Sequence, residues 1–231
     1  MSTDQRHHLL IGGSHGIGRD LAARLEADGH RVTILSRTAP SGLQATHHTV
    51  DVTSDDLPDI EGPIHGLTYL PGSINLKPFS SLRSKDFDAD WQVNVQGAVK
   101  VLQAYQKQLK EAGDASVVCF STVAVHQGMP FHASIAASKG ALEGLVRSLA
   151  AEWAPTVRVN AVAPSLTDTP LAEKLLRNDK QRDAAEDRHP LKRIGSPADI
   201  AEAAHYLLSD RSGWMTGQVM HVDGGMSRVR I

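Results

Sequence analysis

The chain has 231 residues, 41% of them hydrophobic, which is enough for one sizeable core and short for two independent ones. A net charge of -2 and a pI near 6.6 give no basis for nucleic acid or an anionic membrane as partner. The single cysteine, Cys119, excludes a disulfide within the chain and fits a reducing, cytoplasmic setting.

No apolar run reaches transmembrane length, and the start Met1-Ser2-Thr3-Asp4-Gln5-Arg6 lacks a signal-peptide core. The 12 histidines form no H-E-x-x-H or comparable ligand set, so no metal is expected.

Taken in order, strand-like apolar runs alternate with stretches of helical period. The expected strands are 9–11, 32–35, 49–52, 66–70, 116–120, 158–162 and 218–222. The clearest helices are 18–27, a long one over 86–110, 134–153, and 197–208 with Ser196 as cap and Pro197 in its first turn. Between the third and fourth strands, Pro58, Gly62 and Pro63 leave room for a single helical turn or a loop. No repeat, low-complexity segment or linker is present. The expectation is one domain over 1–231, a doubly wound Rossmann-type α/β fold with about seven parallel strands and helices on both faces.

The first strand runs into a glycine-dense turn, Leu9-Leu10-Ile11-Gly12-Gly13-Ser14-His15-Gly16-Ile17-Gly18-Arg19, and a helix follows at once. Missing Cβ atoms let the backbone turn tightly and let a ligand approach it. The free N–H groups and positive end of the new helix suit a pyrophosphate. The second strand ends in Ser36-Arg37, about where an acid would hold the ribose 2′-OH of NAD. Arg37 can instead pair with a 2′-phosphate, and Ser36 does not repel one, which favours NADP(H). A solvated arginine at a strand end is the alternative. Asp51, at the end of the third strand, is either a ligand contact or a helix cap.

The spacing Gly-x-x-x-Gly-Ile-Gly resembles the cofactor loop of the classical short-chain dehydrogenase/reductase family, which usually has Thr where Ile11 stands. Later landmarks resemble it in the right order: Asn94 in its helix, 159–164 followed by Thr169-Pro170, Arg193-Ile194-Gly195-Ser196-Pro197, and Thr216-Gly217 with Val222-Asp223-Gly224-Gly225. The resemblance implies cofactor contacts from Gly12, Ser14, His15, Gly16, Ile17 and Gly18. Beside Ser36 and Arg37, read above as the 2′-phosphate contacts, it adds Asp51 and Val52 at the adenine, and Gly72, Lys139, Pro164 and Thr169 around the nicotinamide half. The family's Gly after Pro164 is Ser165 here, and its Asn-Asn-Ala-Gly is Tyr69-Leu70-Pro71-Gly72.

The family's chemistry rests on Ser, Tyr and Lys. Lys139 is the evident lysine; four residues back stands Ile135 where the tyrosine is usual, and thirteen further back stands Thr122 for the serine. The phenol that would donate a proton to the developing alkoxide is missing, a loss worth about 10²–10⁴-fold. Thr122 keeps a hydroxyl and Asn94 matches the family's water-anchoring asparagine, though a polar residue kinking a helix is an equal reading. His132, seven residues before Lys139, stands where the enoyl-reductase branch has its tyrosine, and imidazole can donate a proton. A loop histidine facing solvent is the alternative, and His126 is a weaker candidate.

The leading expectation is an oxidoreductase moving a hydride between NADP(H) and a carbonyl or activated double bond, with an atypical proton donor. Met129, Phe131, Ile135 and Leu166 suggest an apolar substrate. Two other readings stand: an NADP(H)-binding protein without turnover, as a sensor or silent subunit, and a non-redox enzyme on the same fold. The long helices carry apolar residues on more than one face (Val95, Val99, Leu102; Leu142, Leu145, Leu149), and the resemblance implies a homodimer or homotetramer.

Overall fold

Short aliphatic runs define the centre of the molecule, and in the computed structural model, which describes residues 5–230, they pair into one parallel sheet. The strands are β1 His7–Ile11, β2 Arg31–Ser36, β3 Thr46–Thr49, β4 Gly66–Tyr69, β5 Ala115–Phe120, β6 Val157–Pro164 and β7 Val219–Val222. Their order across the sheet is β3-β2-β1-β4-β5-β6-β7. Every residue of β1, β4 and β5 is buried, as a parallel sheet covered on both faces requires.

The helices are α1 Gly16–Ala27, α2 Ser84–Trp91, α3 Gly97–Ala112, α4 Ala133–Trp153, α5 Asp179–Asp187 and α6 Pro197–Leu208. On one face, Leu102, Leu109, Leu142 and Val146 of α3 and α4 pack on Leu9, Leu67 and Val117. On the other, Leu21, Leu25, Ile200 and Leu207 of α1 and α6 cover Leu10, Ile34 and Val118. Alternate strand side chains feed the two layers, each fully buried one contributing about 1.5–3 kcal/mol. The doubly wound α/β architecture expected from the alternation is the one observed.

Three details differ from expectation. The third strand lies at 46–49 rather than 49–52. Val50 and Val52 are buried, but from the irregular segment after the strand, so their spacing marks packing and not pairing. The edge strand itself is the polar Thr46-His47-His48-Thr49, which an edge tolerates. Second, the long helix is split by a π-turn over Gln92–Gln96. Third, α5 has no counterpart among the expected helices, because it is almost wholly polar with only Ala185 buried; Asn178 caps it by accepting from Gln181 N at 2.9 Å. The segment 53–65 holds turns and extended chain and no helix, as its prolines require. Among the described residues no helix is long and apolar enough to cross a membrane, and no His, Cys, Asp and Glu group could hold a metal.

Candidate active site

The strand order reverses between β1 and β4, and chains leaving two such strands in opposite directions open a crevice at their carboxyl ends. A cleft of about 910 Å³ occupies this edge. Its lining joins Gly12, His15, Gly16, Ile17 and Gly18 at one end to Gly72, Thr122, His132, Ile135 and Lys139, and to Pro164 and Thr169 beyond β6. Met129, Phe131 and Leu166, expected from sequence to be its apolar wall, line it too.

The glycine turn is built for close approach. Gly12 has φ +88° and Gly16 φ +51°, the left-handed region that favours glycine. A Cβ at Gly18 would lie 2.6 Å from the Gly12 carbonyl oxygen, so only glycine lets α1 start this close to β1. His15 precedes α1 without a side-chain cap, which leaves the first N–H groups of the helix for a ligand. Ser14 Oγ lies 3.0 Å from His15 Nδ1 and accepts from Thr38 Oγ1 at 3.1 Å, a link from the turn to the end of β2. Thr169 closes over the turn from the far side, its methyl 3.2 Å from where a Gly16 Cβ would stand.

Arg37 is exposed and makes no hydrogen bond or ion pair among the described residues, whereas Ser36 is buried and donates to the Thr38 carbonyl at 2.8 Å. Asp51 accepts from the Thr53 N–H and hydroxyl at 3.0 and 2.6 Å, bonds that hold its carboxyl below the usual range. It therefore caps a turn, with one oxygen left over. Ser14, Ser36, Arg37, Asp51, Val52 and Asn94 do not line the cleft itself.

Around Lys139 the polar groups converge. Its Nζ donates to the Phe120 carbonyl at 2.7 Å, and burial brings the ammonium down to about 8, against an opposing pull from Cys119 and Asp90. Asn94 is fully buried in the π-turn; its Nδ2 donates to the Asp90 carbonyl at 2.7 Å and to Ser73 Oγ at 3.0 Å, while its Oδ1 has no partner. A Cβ at Gly72 would stand 3.5 Å from both Asn94 Oδ1 and Lys139 Nζ, so this glycine lies between them. Thr122 Oγ1 accepts from Ala124 N at 3.3 Å, which leaves its hydroxyl hydrogen for another acceptor.

Ile135 lies one turn before Lys139 on α4, buried, on the cleft wall. The three tyrosines are elsewhere. Tyr69 donates to the Val93 carbonyl, Tyr105 to the Pro58 carbonyl, and Tyr206 packs on the α1–α6 face. His132 precedes α4, lines the cleft and has Nδ1 at 2.7 Å from the Pro130 carbonyl, which therefore receives its hydrogen. Nε2 is the ring's free end. His126 is not in the lining; its Nε2 meets the buried carboxylate of Glu143 at 2.9 Å.

Sequence reading missed several groups here. Ser121 donates to Glu143 at 2.6 Å, Ser73 links Asp90 to Asn94, and His189 meets Ser165 at 2.9 Å within the cleft. Only Ser165 carried a signal, as a departure from the family's glycine.

A family model described as enoyl-(acyl carrier protein) reductase matches residues 12–227. The chain is 31% identical to L-xylulose reductase of Bos taurus, over 95% of this chain and 96% of that protein. It is also 31% identical to the 3-oxoacyl-(acyl-carrier-protein) reductase MabA of Mycobacterium tuberculosis, over 96% and 92%. The ligand-free aldohexose dehydrogenase of Thermoplasma acidophilum superposes with a TM-score of 0.89 at 29% identity, over 98% of this chain and 96% of that one. With glycine turn, strand order and lysine helix all in the corresponding arrangement, the chain belongs to the short-chain dehydrogenase/reductase family of oxidoreductases.

Proposed function

We propose that the chain is an NADP(H)-dependent reductase of a carbonyl or activated double bond in a small apolar molecule, using a proton donor other than a tyrosine. The observation that carries this reading is the single cleft joining an uncapped helix start and its glycine turn to Thr122 and Lys139. The residues fit the cofactor: the start of α1 has no side-chain cap to occupy its N–H groups, and the Asn94 amide oxygen is buried without a partner. The turn and α1 would hold the pyrophosphate, Arg37 the 2′-phosphate, Lys139 the nicotinamide ribose, and Pro164 and Thr169 the nicotinamide side. Bound there, the cofactor supplies or accepts the hydride.

The protein's own residues have three tasks in this reading. Thr122 donates to the substrate oxygen, and the hydrogen bond strengthens as charge builds there. The Lys139 ammonium adds a positive field from a buried position. His132, with its Nδ1 hydrogen held by Pro130, brings Nε2 as the group that releases a proton to that oxygen when the ring is charged. The wall of Met129, Phe131, Ile135 and Leu166 excludes water and selects apolar groups.

A second reading has one observation in its favour: Ile135 puts a buried aliphatic side chain where a proton donor is usual, with no phenol near. It is a protein that binds NADP(H) without turnover. Calorimetric titration with NADPH and NADH, together with NADPH oxidation against ketones, quinones and 2-enoyl thioesters, separates the two. Tight NADPH binding with turnover supports the reductase. Binding without turnover against any of them favours the sensor or silent subunit, and no binding defeats both.

A further inference from the structure

A second pair of polar groups lines the same cleft and has no part in the reading above. His189 follows α5 and is buried; its Nδ1 lies 2.7 Å from the Ala185 carbonyl and its Nε2 2.9 Å from Ser165 Oγ. A carbonyl can only accept, so Nδ1 carries the hydrogen. In the neutral ring Nε2 then holds the lone pair, and the Ser165 hydroxyl donates to it. A hydroxyl bonded to an imidazole that a third group orients is the arrangement that activates a nucleophile. A backbone carbonyl here fills the place a carboxylate fills in the Ser-His-Asp triad.

The pair is held rather than incidental. Ser165 follows Pro164 at the end of β6, and its own carbonyl accepts from Thr167 Oγ1 at 3.1 Å. The imidazole packs against the turn at Gly224, where a Cβ would stand 3.6 Å from the ring. Ser165 is partly exposed to the cleft, between the apolar side chains of Leu166, Leu171, Leu175 and Met226, and Arg188 brings a positive charge to the same lining.

We propose that Ser165 and His189 form a nucleophile–base pair that takes the acyl group of an activated ester or thioester of a small apolar acid. The step needs no nicotinamide cofactor and does not rest on the reductase reading. Ser165 Oγ attacks the acyl carbonyl carbon as its proton passes to His189 Nε2. The bond to the leaving alkoxide or thiolate breaks, and that group takes the proton from Nε2. Water then attacks the acyl-serine, giving one proton to His189, which returns it to Ser165 Oγ as the free acid leaves.

The test uses the full chain without cofactor. Phenylmethylsulfonyl fluoride should add once, at Ser165 by mass spectrometry of peptides, and p-nitrophenyl butyrate should be hydrolysed. Ser165→Gly, the residue usual in the family at this place, should abolish the adduct and lower hydrolysis at least about tenfold. His189→Gln should slow both while leaving the serine in place. Because His189 is buried and its variant can fail to fold, Ser165→Cys supplies an independent reading. Its thiol should react with iodoacetamide at about pH 6, faster than an ordinary thiol, because the imidazole takes its proton. Cys119 is buried, and the same burial pushes its thiol up to about 12, so it does not interfere. No adduct, an adduct on another residue, unchanged hydrolysis in Ser165→Gly, or an ordinary thiol in Ser165→Cys would each overturn the proposal.

Discussion

Tyr69 Oη donates to the Val93 backbone carbonyl at 2.5 Å, from the end of β4 to the π-turn that carries Asn94. In the resembled pattern an asparagine stands at this place. Here a phenol, buried and with its pKa raised by that burial, holds a carbonyl inside the split helix. The neighbouring Gly97 has no room for a side chain, since a Cβ there would meet Tyr69 Oη at 2.3 Å. Removing the hydroxyl takes one hydrogen bond from the part-buried Val93 carbonyl. Tyr69→Phe should therefore destabilise the fold by about 1–2 kcal/mol in urea titration. An unchanged midpoint would mean that this hydrogen bond adds nothing to stability.

Arg37 stands exposed at the end of β2 with no partner among the described residues, and a 2′-phosphate is the ligand that would use it. NADPH is expected to bind more tightly than NADH, and Arg37→Ala should shrink the difference about tenfold, as one charge-assisted pair is lost. Equal affinities in the unmutated protein would end the case for NADP(H).

Ile135 occupies the cleft wall one turn before Lys139. Ile135→Tyr should place a phenol in the field of the lysine and raise NADPH oxidation with ketones by about tenfold or more, part of the general-acid effect. Ile135 is buried but borders the cleft, so the added bulk can extend into it and not into the closed core, where overpacking costs more. His132→Ala should lower turnover of the native protein and matter little beside Ile135→Tyr, because the phenol would take over the task. Activity that ignores both substitutions would count against a proton donor at either place.

Lys139 is expected to titrate near pH 8, because burial disfavours its charge. Its charged state is full below that pH and lost above it, so NADPH affinity should weaken as pH rises through about 8. Stability of the ligand-free protein has the opposite slope. Between about pH 8 and the ordinary lysine range the unfolded chain binds a proton that the folded one does not, so stability rises with pH there. Lys139→Met should abolish both slopes, as read by binding titration and by thermal melts.

The helices expected to carry an oligomer interface are partly accounted for by the chain itself. Val95, Leu102 and Leu142 are buried in its core, while Val99, Leu145 and Leu149 stay partly exposed. Trp91 is 42% exposed and Trp214 fully so. We propose a homodimer or homotetramer that covers these groups, to be read by light scattering. A monomer at micromolar concentration would refute it.

What the sequence determined by itself is the frame. Short apolar runs such as 9–11 and 116–120, alternating with stretches of helical period, mark buried strands, and the glycines at 12, 16 and 18 fix a strand-to-helix turn, because the backbone conformation there is set by local sterics. Lys139 and Ile135 were legible for the same reason, standing one turn apart on one helix. Pairing across distance was not legible. Nothing local says that Val50 and Val52 pack from outside a strand, or that Tyr69 reaches the Val93 carbonyl inside the π-turn at 92–96. Nor does it say that His126 turns to Glu143 while His189 turns to Ser165. Each is a hydrogen bond or packing contact between residues far apart in the chain, whose partners are chosen only when the sheet brings its carboxyl edge together. Spacing decided which residues share an element, and the tertiary structure decided which of them meet.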